Sequence, residues 1–157
     1  MRARGYTIVE LVITVAILSL LATAVAPSAK LIYQRQKEAE LRSALQTIRG
    51  GIDAYKRAAD TGHIRKEADK SGYPPDLQTL VDGVEDAQAP KDGVKLYFLR
   101  SVPRDPFWPD GTTPAAQTWA LRSYASPPDD PQPGDDVYDV HSKSQRTGLN
   151  GVPYRDW

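Results

Sequence analysis

The chain has 157 residues, 40% of them apolar, which is enough for one modest globular domain and an additional N-terminal element. Lysine plus arginine and aspartate plus glutamate number 20 each, so no excess of positive charge indicates a nucleic-acid partner. The sequence contains no cysteine, which excludes disulfides, thiol nucleophiles and cysteine-ligated zinc or iron-sulfur sites.

A long uncharged run lies close to the N-terminus. From Leu11 to Ala29, nineteen residues carry no charge, which is close to the roughly 20 residues that a helix needs to cross a hydrocarbon core. Arg2 and Arg4 precede this run and, by the positive-inside bias, predict a cytoplasmic N-terminus with the rest of the chain outside. A secretory signal peptide that is cleaved within "ATAVAPSA" is the alternative interpretation.

Glu10 stands directly before this run, at the mouth of the predicted apolar helix. A carboxylate in such a place is costly unless a partner neutralises it. The hydroxyl groups of the run are weak donors, whereas cleavage after Gly5 would create a positively charged amine on Tyr6. We therefore expect the Tyr6 amine of one copy to meet Glu10 of a neighbouring copy. A simple location of Glu10 at the headgroup level is the alternative.

The stretch "RG" followed by "YTIVELVITVAIL" resembles the N-terminal signal of type IV pilins and pseudopilins. This resemblance implies cleavage after Gly5 by a prepilin peptidase, N-methylation of Tyr6, and assembly into a helical homopolymer in which Glu10 neutralises the amine of an adjacent subunit. It further implies that residues 1–5 are a leader peptide, residues 6–29 a transmembrane and filament-core helix, and residues 30–157 a periplasmic globular domain. Tyr6 replaces the phenylalanine of most family members but keeps the aromatic ring.

Apolar residues continue beyond the uncharged run with helical spacing. They recur every three or four residues and predict one face of an amphipathic helix, formed by Leu41, Leu45, Ile48, Ile52, Tyr55 and Ala59. We expect one helix from about Tyr6 to Ala59, roughly 80 Å long at about 1.5 Å per residue. Pro27 lacks the backbone donor and predicts a kink, as in many pilins. A short coiled coil is the alternative interpretation of the spacing.

The second half of the chain is rich in proline and predicts short elements. "SGYPPDLQTLVDG" predicts a turn and a short helix, and residues 118–125 and 136–142 predict two antiparallel strands joined by "SPPDDPQPGD". The predicted fold class is α+β, type IV pilin-like, with a long N-terminal helix, apolar in its first half, packed on a small antiparallel sheet. The aromatic residues expected in the core are Tyr97, Phe98, Phe107, Trp108 and Trp119.

The order of landmarks in this half resembles the major pseudopilin of the type II secretion system. The matching residues are Pro103, Asp105, Pro106 and Asp136. The resemblance implies an inner-membrane, single-pass subunit that contacts lipid before assembly and then forms a filament in the periplasm or at the cell surface. Its partners would be minor pseudopilins and an inner-membrane assembly platform. A type IV pilin for adhesion, motility or DNA uptake is one alternative; a membrane-anchored binding domain that never polymerises is an alternative of another class.

The resemblance also implies a calcium ion near the C-terminus, for which Asp135, Asp136 and Asp139 are the candidate ligands. Calcium requires about six to eight oxygens, and the following "SKSQRTGLNG" contributes no carboxylate, so a solvated turn is the favoured alternative. Without calcium, Tyr154 and Trp157 are expected to anchor the C-terminal segment. No catalytic residue is predicted, because the sequence contains no nucleophile, phosphate-loop or zinc motif.

Overall fold

The computed structural model describes residues 5–67, 69–91 and 93–157, except for the side chains of residues 23–28. The chain divides into two units, one ending at Lys37 and the other extending from Glu38 to Trp157. A single helix, α1, runs from Ile8 to Asp60 and confirms the long helix expected from the spacing of apolar residues. None of the described helices combines the length and the apolar character that crossing a membrane requires.

The C-terminal part of α1 forms one wall of the hydrophobic core of the second unit. The predicted apolar face is buried at every position, namely Leu41, Leu45, Ile48, Ile52, Tyr55 and Ala59. Gly51 lies beside this face, and a Cβ there would stand 2.9 Å from Cγ of Leu99. This glycine lowers helix propensity, but it lets the segment that carries Leu99 pack closely against the helix.

A short helix, α2, spans Thr79–Asp82 and confirms the helix predicted from this stretch. The Asp76 carboxylate accepts hydrogen bonds from the Thr79 backbone N–H at 2.7 Å and from its hydroxyl at 2.9 Å, and thereby stabilises the start of α2. Leu80 is fully buried in the core. Its carbonyl oxygen accepts the backbone N–H groups of Phe98 and Leu99, so α2 is tied to the following loop.

Two small antiparallel sheets complete the second unit. The strands β1 (Val84–Glu85) and β2 (Lys95–Leu96) form a hairpin that the sequence did not predict, because each strand has only two residues. The strands β3 (Trp119–Arg122) and β4 (Asp139–Ser142) form the predicted pair. The predicted α+β class is therefore confirmed, and this combination of a long N-terminal helix with small antiparallel sheets is consistent with a type IV pilin-like fold.

The structure corrects three details of the predicted domain. Strand β3 covers Trp119–Arg122 rather than residues 118–125. Strand β4 begins at Asp139 rather than at residue 136, because the Val137 backbone N–H donates to the carbonyl of Pro74 at 2.8 Å instead of continuing the ladder. Val140 then lies opposite Leu121 and faces the core. Tyr97 is 66% exposed and therefore is not a core residue.

Asp105 ties the proline-rich loop to the strand pair. Its carboxylate is 1% exposed and accepts hydrogen bonds from the Ser142 hydroxyl at 2.6 Å and from the Phe107 backbone N–H at 2.8 Å. The indole N–H of Trp119 donates to the carbonyl of Pro103 at 2.8 Å. Because Trp119 and Ser142 are partners in the β3–β4 register, these hydrogen bonds hold the loop at one end of the strand pair.

Candidate functional site

The candidate site lies where α1 begins. Gly5, Tyr6 and Thr7 precede the first helical residue, Ile8, so the peptide bond between Gly5 and Tyr6 lies in a non-helical segment. The Tyr6 side chain is 77% exposed, and among the described residues no atom beyond the chain neighbours would lie within 4 Å of a Cβ added at Gly5. The two predicted processing residues are thus adjacent in this segment, and the side chain of Tyr6 is exposed.

Thr7 caps the helix, a role that was not inferred from the sequence. Its side-chain oxygen accepts the backbone N–H of Glu10 at 3.2 Å, and its carbonyl accepts the N–H of Leu11 at the same distance. A threonine followed three residues later by a glutamate is the signature of a capping box, so the sequence did contain the signal. The cap sets Tyr6 outside the helix and Glu10 in its first turn.

Glu10 is exposed in the first turn of α1, where the positive end of the helix dipole favours a carboxylate. The structure therefore brings Gly5, Tyr6 and Glu10 into one short segment, with Thr7 fixing the spacing between them. Pro27 belongs to α1, but its side chain lies outside the described residues, and the expected kink stays a prediction.

The surface beyond Glu10 is apolar and exposed. The side chains more than half exposed in this stretch are Ile8, Val9, Leu11, Val12, Ile13, Val15, Ile17, Leu18, Leu20 and Leu21. The hydroxyls of Thr14 and Ser19 donate to helix carbonyls, both at 2.8 Å, so these polar groups are satisfied within the helix. Exposed apolar surface of this extent is typical of a surface that another molecule covers.

The candidate calcium ligands do not converge. Asp139 accepts the Nε–H of Arg49 at 2.7 Å, and Asp136 accepts the backbone N–H of Tyr124 at 2.8 Å. Asp135 is exposed to solvent. Within the described ranges, no three His, Cys, Asp or Glu side chains come close enough together to hold a metal ion. The present arrangement therefore does not fit calcium, and calcium binding stays an untested prediction.

The shifted pKa values in the second unit have local structural causes. Hydrogen bonds from the hydroxyl and backbone N–H of Thr113, and then from those of Thr112, hold the pKa of Asp110 far below its usual range. Burial lowers the pKa of His141; the Asp139 carboxylate opposes this shift, and the Arg49 guanidinium adds to it. Hydrogen bonds from the backbone N–H of Gln88 and from the His63 ring lower the pKa of the Asp86 carboxyl. These groups serve turns and strand packing.

Comparison with known proteins adds one finding at the N-terminus. Residues 1–26 match the family model described as the prokaryotic N-terminal methylation motif. None of the curated proteins and none of the solved structures compared with the chain matches it. The matched segment contains Gly5, Tyr6 and Glu10, and the motif implies prepilin peptidase processing and pilin-type polymerisation. The match supports a type IV pilin-like or pseudopilin subunit.

Proposed function

We propose that this protein is the structural subunit of a helical pseudopilus filament that assembles from the inner membrane and drives protein export by type II secretion. The observation that carries the proposal is the exposed apolar surface of α1 with Glu10 in its first turn, next to Gly5 and Tyr6. Glu10 is the one charged residue between Tyr6 and Ala29 in the sequence. An exposed apolar helix surface is stabilised when another apolar surface covers it, and the α1 helices of identical copies provide such surfaces.

Processing would come first. A prepilin peptidase cuts between Gly5 and Tyr6, in the non-helical segment before Thr7, and the new Tyr6 amine is methylated. The amine keeps its positive charge after methylation, so it can still pair with a carboxylate. Before cleavage, Arg2 and Arg4 hold the N-terminus on the cytoplasmic side, and residues 6–29 lie in the inner membrane from then until assembly, with the second unit in the periplasm.

Assembly would then bury the apolar surfaces of neighbouring α1 helices against each other. Lipid is as apolar as these side chains, so apolar burial alone does not favour association. Close van der Waals packing and polar pairing must therefore stabilise the filament relative to the dispersed subunits. A charge pair between Glu10 and the Tyr6 amine of the next copy supplies the polar pairing. It also sets the axial register, because a displaced copy would leave Glu10 unpaired in apolar surroundings.

The assignment to secretion rather than to a surface pilus rests on the second unit. The loop containing Pro103, Asp105 and Pro106 resembles the corresponding loop of major pseudopilins, and the burial of Asp105 and its hydrogen bond with Ser142 are in keeping with a structural role for that loop. The sequence also lacks the cysteines that close the C-terminal loop of many type IV pilins. Minor pseudopilins and an inner-membrane assembly platform are the expected partners.

The test compares three forms of the full-length protein expressed in its native membrane: the wild type, Glu10→Ala, and Asp53→Asn. Asp53 is an exposed carboxylate elsewhere on α1 and serves as the matched control. Mass spectrometry gives the mature N-terminus, and electron microscopy of sheared material gives the filament yield. We expect all three to begin at methylated Tyr6, and only Glu10→Ala to lose filaments.

Two results would contradict the proposal. An intact Met1, or cleavage near Ala26, would leave an anchored or secreted domain that does not polymerise. Normal filament yield from Glu10→Ala would show that assembly does not require a pair between Glu10 and the Tyr6 amine.

Deletion of the gene distinguishes secretion from a surface pilus. Loss of exported proteins with unchanged adhesion, motility and DNA uptake supports the pseudopilus. Unchanged export with loss of adhesion, motility or DNA uptake supports a type IV pilin.

A further inference from the structure

Residues 146–157, the C-terminal loop, are held together by hydrogen bonds within their own backbone. The Tyr154 N–H donates to the carbonyl of Arg146 at 3.1 Å, and the Gly148 N–H donates to the carbonyl of Val152 at 2.9 Å. This is the region in which the resemblance to pseudopilins implies a calcium ion. The position of the loop depends on what anchors it to the rest of the second unit.

A buried carboxylate on α1 supplies one anchor. Glu38 is 5% exposed, and its Oε1 accepts the backbone N–H of Leu149 at 2.8 Å and the hydroxyl of Tyr154 at 2.9 Å. The Tyr154 ring is fully buried and stacks on Phe107 with a centroid distance of 4.1 Å. A buried carboxylate is tolerated only when donors reach it, and bonds to a charged acceptor are stronger than neutral ones. Glu38 and the loop therefore stabilise each other.

Arg49 supplies the second anchor, eleven residues or about three turns further along α1. Its Nη2 donates to the backbone oxygen of Trp157 at 2.7 Å and to that of Val140 at 3.1 Å. Its Nε donates to Asp139 at 2.7 Å. One guanidinium group thus joins the helix, strand β4 and the end of the C-terminal loop, and it neutralises one of the three candidate calcium ligands.

The other two candidate ligands have protein neighbours of their own. Asp136 accepts hydrogen bonds from the Ser71 hydroxyl and from the Tyr124 backbone N–H. The side chain of Asp135 is 90% exposed and lies 3.7 Å from Nζ of Lys70. Calcium would have to displace these bonds to gather its oxygens.

We propose that Glu38 clamps the C-terminal loop in place of a bound calcium ion, so that the second unit folds without a divalent cation. In a calcium site, the metal would join carboxylates of the loop to one another. Here a carboxylate of the helix binds donors of the loop directly, and Arg49 holds the opposite end. The proposal concerns the second unit alone, so its failure would leave the proposed filament function untouched.

The test uses the full chain in detergent micelles after removal of divalent cations with EDTA. Thermal unfolding is followed by tryptophan fluorescence with EDTA, with excess CaCl₂ and with excess MgCl₂. Calcium at about 100 times its Kd would raise Tm by roughly 5–10 °C if it bound the native state alone. We expect no such shift, and equal hydrogen exchange at Leu149 in all three solutions.

Tyr154→Phe tests the clamp itself, because it removes one donor to Glu38 and keeps the ring. The matched control is Tyr124→Phe, which removes a hydroxyl from a tyrosine that is 60% exposed. We expect a fall in Tm of roughly 5 °C or more and faster exchange at Leu149 for Tyr154→Phe, unrelieved by CaCl₂, and no change for the control. A calcium-dependent rise in the wild-type Tm, or a Tyr154→Phe protein as stable as the control, would overturn the proposal.

Discussion

Removal of the Asp105 carboxylate, which is buried in the second unit, should lower the free energy of unfolding of that unit. Asp105→Ala deletes the acceptor of two hydrogen bonds, one from the Ser142 hydroxyl and one from the Phe107 backbone N–H. Ser142 is fully buried, so its hydroxyl would lose its acceptor without gaining water. A buried donor left unsatisfied costs about 1–3 kcal/mol, and the second lost bond adds about 1 kcal/mol, which gives an expected loss of about 2–4 kcal/mol.

The measurement is guanidinium chloride unfolding of the full chain in detergent, with the free energy of unfolding obtained by linear extrapolation. Asp129→Ala is the matched control, because Asp129 is exposed in the turn between β3 and β4 and should change stability by less than about 0.5 kcal/mol. Ser142→Ala and the double variant complete a cycle. The double variant should lose about 1–3 kcal/mol less than the sum of the single variants, because the two side chains share one bond. Additive losses, or an Asp105→Ala protein as stable as the control, would refute this account.

Two further predictions concern pH and packing. Burial holds the pKa of His141 below its ordinary value of 6.5. As pH drops below about 6.5, the unfolded chain therefore binds a proton at this histidine that the folded chain does not, and the free energy of unfolding should fall. His141→Gln should flatten the dependence of Tm on pH between about 7.5 and 5.5; an unchanged slope would exclude His141 as its source. Gly148→Ala should lower the free energy of unfolding by about 1–3 kcal/mol, because the new Cβ would stand 2.5 Å from Cζ2 of Trp157. Gly111→Ala is its control, because no atom in the described part of the chain would lie within 4 Å of the new Cβ, and equal stability of the two variants would contradict the packing argument.

The N-terminal half of this protein could be predicted from the sequence because its information is local. A helical period repeats every three or four residues, so the buried face from Leu41 to Ala59 is visible without any distant contact. The segment from Gly5 to Glu10 is likewise a short pattern of residue types, and the structure adds to it only the cap by Thr7.

In the C-terminal half, the pairing of strands β3 and β4 was also predictable from local sequence. A proline-rich turn separates two short runs of strand-forming residues.

Contacts between distant positions decided the rest. Glu38 and Tyr154 are 116 residues apart, and nothing near Glu38 in the sequence distinguishes it from an exposed helical carboxylate. The bond between Arg49 and Asp139 spans 90 residues and turns a candidate metal ligand into half of an ion pair. The choice between a cation site and a protein-bonded carboxylate depends on which donors the folded chain brings to each oxygen. Residue types alone do not specify those neighbours, and only the tertiary structure does.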